Sequence, residues 1–260
     1  MDVAELVRTL GPLLDGALIA TDFDGTLSWL TIDPEDSRAV PGAVDALHRL
    51  VGAGARVAVI TGRDARTVVR LGALGSVPGL TVAGMYGIET WTGDELTTPD
   101  VPDSVSSLRA RLPGVLADAG ADPAVWIEDK RLSLVVHARK ADDPDRALAG
   151  VADAVTSLAD ELGLETHPGS QVLELRVPGF DKAGALQRLV DDASPTAVLW
   201  LGDDLGDLPA FDEVRAMRDR GVAAWGVGVL SSGADGIADA ADVTVADPPA
   251  AVDLLTRLAG

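Results

Sequence analysis

The sequence predicts an α/β core with a mostly parallel sheet, interrupted by an inserted α+β cap. Three observations carry this. Short, largely apolar runs alternate with helical patterns in the first part of the chain, and such runs belong to strands covered on both faces. From about Trp91 the rhythm changes to helix, two strands, helix, two strands, the order of a small layer with an antiparallel sheet. After Asp181 the first rhythm resumes.

The elements follow in order. Residues 17–21 (ALIAT) are the first expected strand, 41–53 a helix with proline at its start, and Arg56–Ile60 (RVAVI) the second strand. A helix over 64–74 and a strand over 81–83 come next. The insert begins with a helix over 102–118, followed by strands over 125–128 and 132–137, close enough to pair as a hairpin. A helix over 144–162 then leads to strands over 164–166 and 172–176. The core resumes with helix 181–192, strand 197–201, helix 207–219, strand 222–226 and helix 248–258. This assigns 1–95 and 178–260 to the core domain and 96–177 to the cap, with no internal repeat and no low-complexity tract.

Composition excludes several function classes. The 260 residues hold no cysteine, which removes disulfides, thiolate metal sites and a cysteine nucleophile. With 21 basic against 41 acidic side chains the formal charge is −20. Nucleic acid or an anionic membrane would be repelled from most of such a surface. An anionic small substrate is still admitted, because a few local cations or a bound metal reverse the local field. The N-terminus, MDVAELVRTLGPLLDG, carries acids where a secretory signal needs bases, and no apolar run reaches the length of a membrane span. A cytoplasmic monomer with a small-molecule partner is the expectation.

Four clusters carry chemistry. The first is Asp22-Phe23-Asp24-Gly25-Thr26, at the end of the first strand, where ligands of open α/β sheets sit. One carboxylate can attack an electrophile while the other handles the leaving-group proton. The same run also suits an acidic turn that only ends a strand. The second, Thr61-Gly62-Arg63, offers a hydroxyl and backbone N–H groups to a phosphate, or is simply a helix start capped by Asp64. The third is Lys182, one of only three lysines, at the re-entry into the core. The fourth, Gly202-Asp203-Asp204-Leu205-Gly206-Asp207, makes an oxygen-rich strand end suited to Mg²⁺. Helix-dipole preference for acids explains Asp207 in that cluster but not Asp203.

In this order and at these strand ends, the four clusters resemble the haloacid dehalogenase superfamily of aspartate-nucleophile phosphotransferases, over roughly 1–95 and 178–260. The resemblance implies a Rossmann-like core in which Asp22 is the nucleophile and Asp24 the general acid/base. It implies that Thr61, Gly62 and Lys182 bind the phosphoryl group. It also implies Mg²⁺ on Asp22, the Asp24 carbonyl and Asp203, with Asp204 or Asp207 in support. A carboxylate attacking a phosphate meets like charge, so a metal and a lysine suit the task. Asp24 disfavours dehalogenation, since a halide leaves without a proton.

The substrate expectation rests on the cap. DFDGTLS in the core, Glu128-Asp129-Lys130-Arg131 leading into a strand that ends at His137, and Val172-Leu173-Glu174-Leu175-Arg176 together look like the trehalose-6-phosphate phosphatases. Carried across, Glu128, Lys130, Glu174 and Arg176 bind sugar hydroxyls; the same residues also suit a solvated sheet face with cross-strand ion pairs. The resemblance implies Mg²⁺-dependent hydrolysis of trehalose 6-phosphate through an aspartyl-phosphate. Three departures stand out. Tyr86 replaces the histidine of the family's G-x-H-G, Arg131 replaces a glycine after E-D-K, and Gly206 replaces a threonine in the metal motif. They keep open a phosphatase of sucrose phosphate, a mannosylglycerate phosphate or an aminocyclitol phosphate. A hexose phosphomutase and a non-catalytic sugar-phosphate sensor remain further alternatives. His137 and His167 read as structural, and Trp29 as a residue able to meet a sugar face.

Overall fold

Buried on both faces, the apolar run that follows the first turn of the chain forms the centre of a parallel sheet. The computed structural model describes residues 1–260 with the exception of 94 and 99. In chain order, α1 (Val3–Leu10) precedes β1 (Leu18–Thr21), α2 (Ala43–Gly52), β2 (Arg56–Ile60), α3 (Ala65–Leu71) and β3 (Thr81–Gly84). Two short strands follow, β4 (Glu89–Thr92) and β5 (Glu95–Thr97). Then come α4 (Asp103–Asp118), β6 (Trp126–Asp129), β7 (Ser133–His137), α5 (Pro144–Glu161), β8 (Glu165–Gly169) and β9 (Val172–Arg176). The remaining elements are α6 (Lys182–Ala193), β10 (Val198–Gly202), α7 (Leu208–Asp219), β11 (Ala224–Val229), α8 (Ile237–Ala240), β12 (Val243–Val245) and α9 (Pro248–Ala259).

The chain divides into two compact units, Met1–Thr98 with Asp181–Gly260, and Pro99–Phe180. The first is built on one sheet of order β12-β11-β10-β1-β2-β3-β4-β5, parallel from β12 to β3 and antiparallel through β4 and β5. Alternate residues of its central strands enter opposite cores. Ile19, Leu199 and Leu201 pack with α1, α2 and α9 residues such as Leu10, Leu47 and Leu254. Leu18, Ala20 and Trp200 pack with Leu186, Phe211 and Met217 on the other side. This two-sided burial explains why the strands read as continuous apolar runs. The acid excess has a local use as well. Asp2, Asp64, Asp143, Asp181 and Asp247 cap α1, α3, α5, α6 and α9, each accepting a backbone N–H in the first turn.

Several elements depart from the sequence expectations. The helix α1 and the strands β4, β5 and β12 were not expected, because the strands have three or four residues and gain their identity from pairing. The strand expected over 222–226 lies instead at Ala224–Val229. Val222 N donates to the Met217 carbonyl and so closes the end of α7. Further on, Gly226 and Gly228 belong to the strand, because Phe211 and Ile237 pack directly on their backbones. Glycines in a strand weaken its sequence signal while admitting close neighbours.

The second unit is a four-stranded antiparallel sheet, order β6-β7-β9-β8, with α4 and α5 on one face. Leu134, Val136, Leu173 and Leu175 meet Leu108, Leu112, Val151 and Val155 there. The opposite face carries Glu128, Val135, Glu174 and His167 as one cross-strand row. Among the described residues no helix is long and apolar enough to cross a membrane. Because this unit has its own core, Leu175→Ala should cost about 2–5 kcal/mol there. Hydrogen exchange should show faster opening of β6–β9 and unchanged protection of β1, β2 and β10. Equal loss of protection in both sheets would show a shared core.

Candidate active site

The carboxyl ends of β1, β2, β10 and β11 place four loops side by side, because the register of the parallel ladder ends these strands at one edge. Asp22 N still donates to the Leu201 carbonyl at 2.9 Å, so the first carboxylate leaves the sheet in a fixed direction. The chain then turns at Gly25, with φ +79°. A methyl group at Gly25 would lie 2.1 Å from Asp203 Oδ2, so only glycine lets the loops after β1 and β10 approach this closely. Thr26 Oγ1 donates to Asp203 Oδ1 at 3.2 Å. From the loop after β11, Ser231 Oγ donates to the Gly25 carbonyl at 2.6 Å and stands 3.3 Å from Asp203 Oδ2. Ser232 Oγ donates to the Asp203 carbonyl at 2.5 Å.

Lys182 opens α6 and is 4% exposed. Its Nζ lies 2.6 Å from Asp207 Oδ1, 3.2 Å from Asp22 Oδ1 and 3.9 Å from Asp204 Oδ1. The other oxygen of Asp207 accepts from the backbone N–H of Asp203 (2.8 Å) and Asp204 (3.0 Å). Asp207 therefore shapes the loop in addition to adding charge. Asp204 is more exposed and caps the short 3-10 turn that follows it.

Asp24 points to a different partner. Arg63 Nε donates to its Oδ2 at 2.6 Å and Nη2 to its Oδ1 at 2.7 Å, a two-pronged grip. Ser37 Oγ adds a bond to Oδ1 at 2.8 Å, and Arg63 Nη1 is itself anchored on the Pro34 carbonyl at 2.6 Å. The hydrogen bond to Asp24, with the nearby carboxylates, holds the Arg63 pKa above its ordinary value against the opposing effect of burial. Thr61, 1% exposed, accepts from the Arg63 backbone N–H through its Oγ1 at 3.1 Å.

A cavity of about 210 Å³ joins Asp22, Asp24, Thr61, Gly62, Lys182 and Asp204, all singled out from sequence, with Leu30, Arg63, Tyr86 and Gly206. Asp203 and Asp207 lie behind Asp22 as a buried carboxylate cluster. The remaining four candidates occupy the second unit. Glu128 Oε2 is bonded to His137 Nε2 at 2.8 Å, and His137 stacks on Trp126 with ring centroids 3.9 Å apart. Glu174 Oε1 accepts from Ser133 Oγ at 2.7 Å, and Arg176 sits opposite Ser133 in the ladder. Lys130 follows β6 and is half-buried. Sequence reasoning placed Arg63 in a candidate phosphate loop but gave its side chain no role, and it gave none to Ser37, Ser231 or Ser232. Serines in loops are too common to signal a contact, although the S-S pair one residue after the strand VGV is a trace of one.

The carboxylate cluster is short of positive charge. Oxygens of Asp22, Asp203 and Asp207 all lie within 4.8 Å of one another, and one ammonium faces them. Burial raises the Asp22 pKa well above the ordinary carboxylate range; Lys182 opposes this while Asp207 and Asp203 add to it. Burial, then Asp207 and Asp204, push Asp203 up to about 7. Burial disfavours the charge on Lys182, but Asp22, Asp207 and Asp204 outweigh it and hold its pKa above the usual value. A hard divalent cation fits this donor set, since it prefers carboxylate oxygens and would relieve the repulsion.

The family model described as Trehalose-phosphatase matches residues 20–235. A trehalose-phosphate phosphatase of Mycobacterium avium is 37% identical over 216 residues, 77% of this chain and 52% of that protein. One from Mycobacterium leprae is 34% identical over 214 residues, 75% of this chain and 47% of the relative. The chain thus spans about half the length of these curated relatives. Aspergillus fumigatus trehalose-6-phosphate phosphatase shares the fold with a TM-score of 0.81 at 22% identity, over 100% of this chain and 97% of the other. The C-terminal domain of the Candida albicans enzyme (C. albicans) gives 0.67 at 20% identity, over 99% and 96%.

The raised Asp203 pKa has a consequence for stability. Between its ordinary value of 3.8 and about 7 the folded form binds more protons than the unfolded one. Stability therefore falls as pH rises through that window. In chelator, the melting temperature should drop from pH 5 to pH 8, and Asp203→Asn should flatten the drop. Thermal unfolding at the two pH values reads this directly. An unchanged slope in the variant would remove Asp203 as its source.

Proposed function

This chain belongs to the trehalose-phosphatase family, and we propose that it hydrolyses trehalose 6-phosphate to trehalose and phosphate through an aspartyl-phosphate on Asp22. The observation that carries the reading is the shared cavity: a buried carboxylate beside an ammonium, with a second carboxylate two residues on held by an arginine.

The chemistry follows from the side chains. An Asp22 oxygen attacks phosphorus while Asp24 gives a proton to the departing sugar oxygen, so trehalose leaves as a neutral alcohol. Asp24 then takes a proton from water, whose oxygen attacks phosphorus, releasing phosphate and restoring the Asp22 carboxylate. Arg63 and Ser37 place two hydrogen bonds on Asp24 Oδ1 and one on Oδ2, so Oδ2 keeps an acceptor position for the transferred proton. Lys182, Thr61 and the Gly62 backbone hold phosphoryl oxygens. Mg²⁺, held by Asp22, Asp203 and the Asp24 carbonyl with Asp204 or Asp207 in support, would supply the charge that lets two anions meet. Glu128, Lys130, Glu174 and Arg176 are the proposed contacts to sugar hydroxyls. Glu128 and Glu174 enter that role already oriented by His137 and Ser133.

Phosphate release from trehalose 6-phosphate, with Mg²⁺ or EDTA, beside sucrose 6-phosphate and p-nitrophenyl phosphate, tests the reading. We expect a Mg²⁺-dependent preference for trehalose 6-phosphate. Hydrolysis of p-nitrophenyl phosphate alone would keep the core chemistry and discard the substrate. Asp22→Asn should abolish turnover with the fold intact by circular dichroism; near-full activity would refute the aspartyl-phosphate route. Glu128→Ala should raise KM for trehalose 6-phosphate by about tenfold, the worth of a charged hydrogen bond, and leave p-nitrophenyl phosphate unaffected.

A further inference from the structure

The loop Thr61–Gly62–Arg63 and the turn Met85–Tyr86–Gly87 are stitched into one element. Thr61 N donates to the Ala83 carbonyl at 3.0 Å, Met85 N to the Arg63 carbonyl at 2.7 Å and Tyr86 N to the Thr61 carbonyl at 2.8 Å. Within this turn Met85 and Tyr86 both take left-handed backbone, with φ of +48° and +59°. That conformation disfavours any residue with a Cβ and persists only where its surroundings over-determine it. A glycine pair would make the same turn without strain. What the strained version secures is the position of one side chain.

Tyr86 lies against the phosphate loop. A methyl group at Gly62 would stand 2.8 Å from the Tyr86 Oη and 2.9 Å from its Cζ. The phenol therefore occupies the space over the Gly62 backbone and lines the same cavity as Asp22, Thr61 and Lys182. Lys182 is already shared with Asp22 and Asp207. The Thr61 Oγ1 accepts from the Arg63 N–H and so has a single hydroxyl hydrogen to give a phosphoryl oxygen. A phosphoryl group has several acceptor oxygens to satisfy, and a phenol adds a donor beside that loop without adding charge.

We propose that Tyr86, the only tyrosine in the chain, is a phosphate-binding residue that donates its phenol hydrogen to a phosphoryl oxygen of the bound monoester. The inference rests on the phosphatase reading of this cavity and adds a contact at the place where the related sequence pattern carries histidine. Gly62 and Tyr86 then work as a pair, the absent side chain of one making room for the hydroxyl of the other.

Tyr86→Phe tests this, because it keeps the ring, its packing on Gly62 and the backbone, and removes only the hydroxyl. The probe is inorganic phosphate, titrated calorimetrically into the full chain with Mg²⁺ present. We expect its Kd to rise by about tenfold, the loss of one hydrogen bond to a charged group. KM for p-nitrophenyl phosphate should rise by a similar factor with kcat unchanged, and Tyr86→His should recover part of the binding. Phosphate affinity equal to wild type in Tyr86→Phe overturns the proposal, and a lower melting temperature alongside it assigns the hydroxyl to a structural hydrogen bond. Wild type that cleaves no trehalose 6-phosphate, yet loses phosphate affinity on Tyr86→Phe, sinks the substrate reading and leaves this inference standing.

Discussion

A single buried ammonium, that of Lys182, stands between carboxylates delivered by two loops, and the arrangement of the site follows from that charge. Asp22 comes from the end of β1 and Asp207 from the loop after β10, while Lys182 opens α6. Without the ammonium, carboxylates this close would repel one another in a region that water cannot screen. With it they are still not balanced, as the raised Asp22 and Asp203 pKa values record. The fold thus holds Asp22, the proposed nucleophile, in surroundings that call for more positive charge, a condition suited to a divalent cation.

Close approach of the loops depends on what is absent as much as on what is present. Gly25 has no side chain where the Asp203 carboxylate lies, and Gly62 has none where the Tyr86 phenol lies. Around these gaps, hydroxyl groups lock the geometry: Ser231 on the Gly25 carbonyl, Ser232 on the Asp203 carbonyl, Ser37 on Asp24. None needs a charge of its own. Each fixes a loop whose carboxylate does, and so limits the motion of those carboxylates by means that do not disturb the electrostatics.

The same economy shows in the distribution of acids. A formal charge of −20 looks like a solvation device, but part of it is structural. Five aspartates begin helices, and Asp207 accepts two backbone N–H groups while holding Lys182. The second unit uses its ionisable groups differently. Its row of Glu128, Glu174 and His167 lies on the sheet face away from α4 and α5, where a histidine holds Glu128 and a serine holds Glu174.

Much was legible in the chain itself. Continuous apolar runs such as 57–60 announced strands buried on both sides, and the change of rhythm near Trp91 announced a second layer, because each pattern follows from which faces water can reach. Asp22, Asp24, Thr61 and Asp203 were legible as candidates because carboxylates and a hydroxyl recur at strand ends, where parallel sheets gather their loops, and Lys182 because the chain has only three lysines. Short strands were not, since Val243–Val245 and Glu95–Thr97 acquire their hydrogen bonds only from a neighbour distant in sequence or across a turn. The grip of Arg63 on Asp24, 39 residues away, and the reach of Ser231 to Gly25, 206 residues away, were likewise invisible. Side-chain chemistry is written locally, and so sequence alone determined which groups could react. Distance between chemically compatible groups is a property of the folded backbone, and only the tertiary structure decided which of them meet.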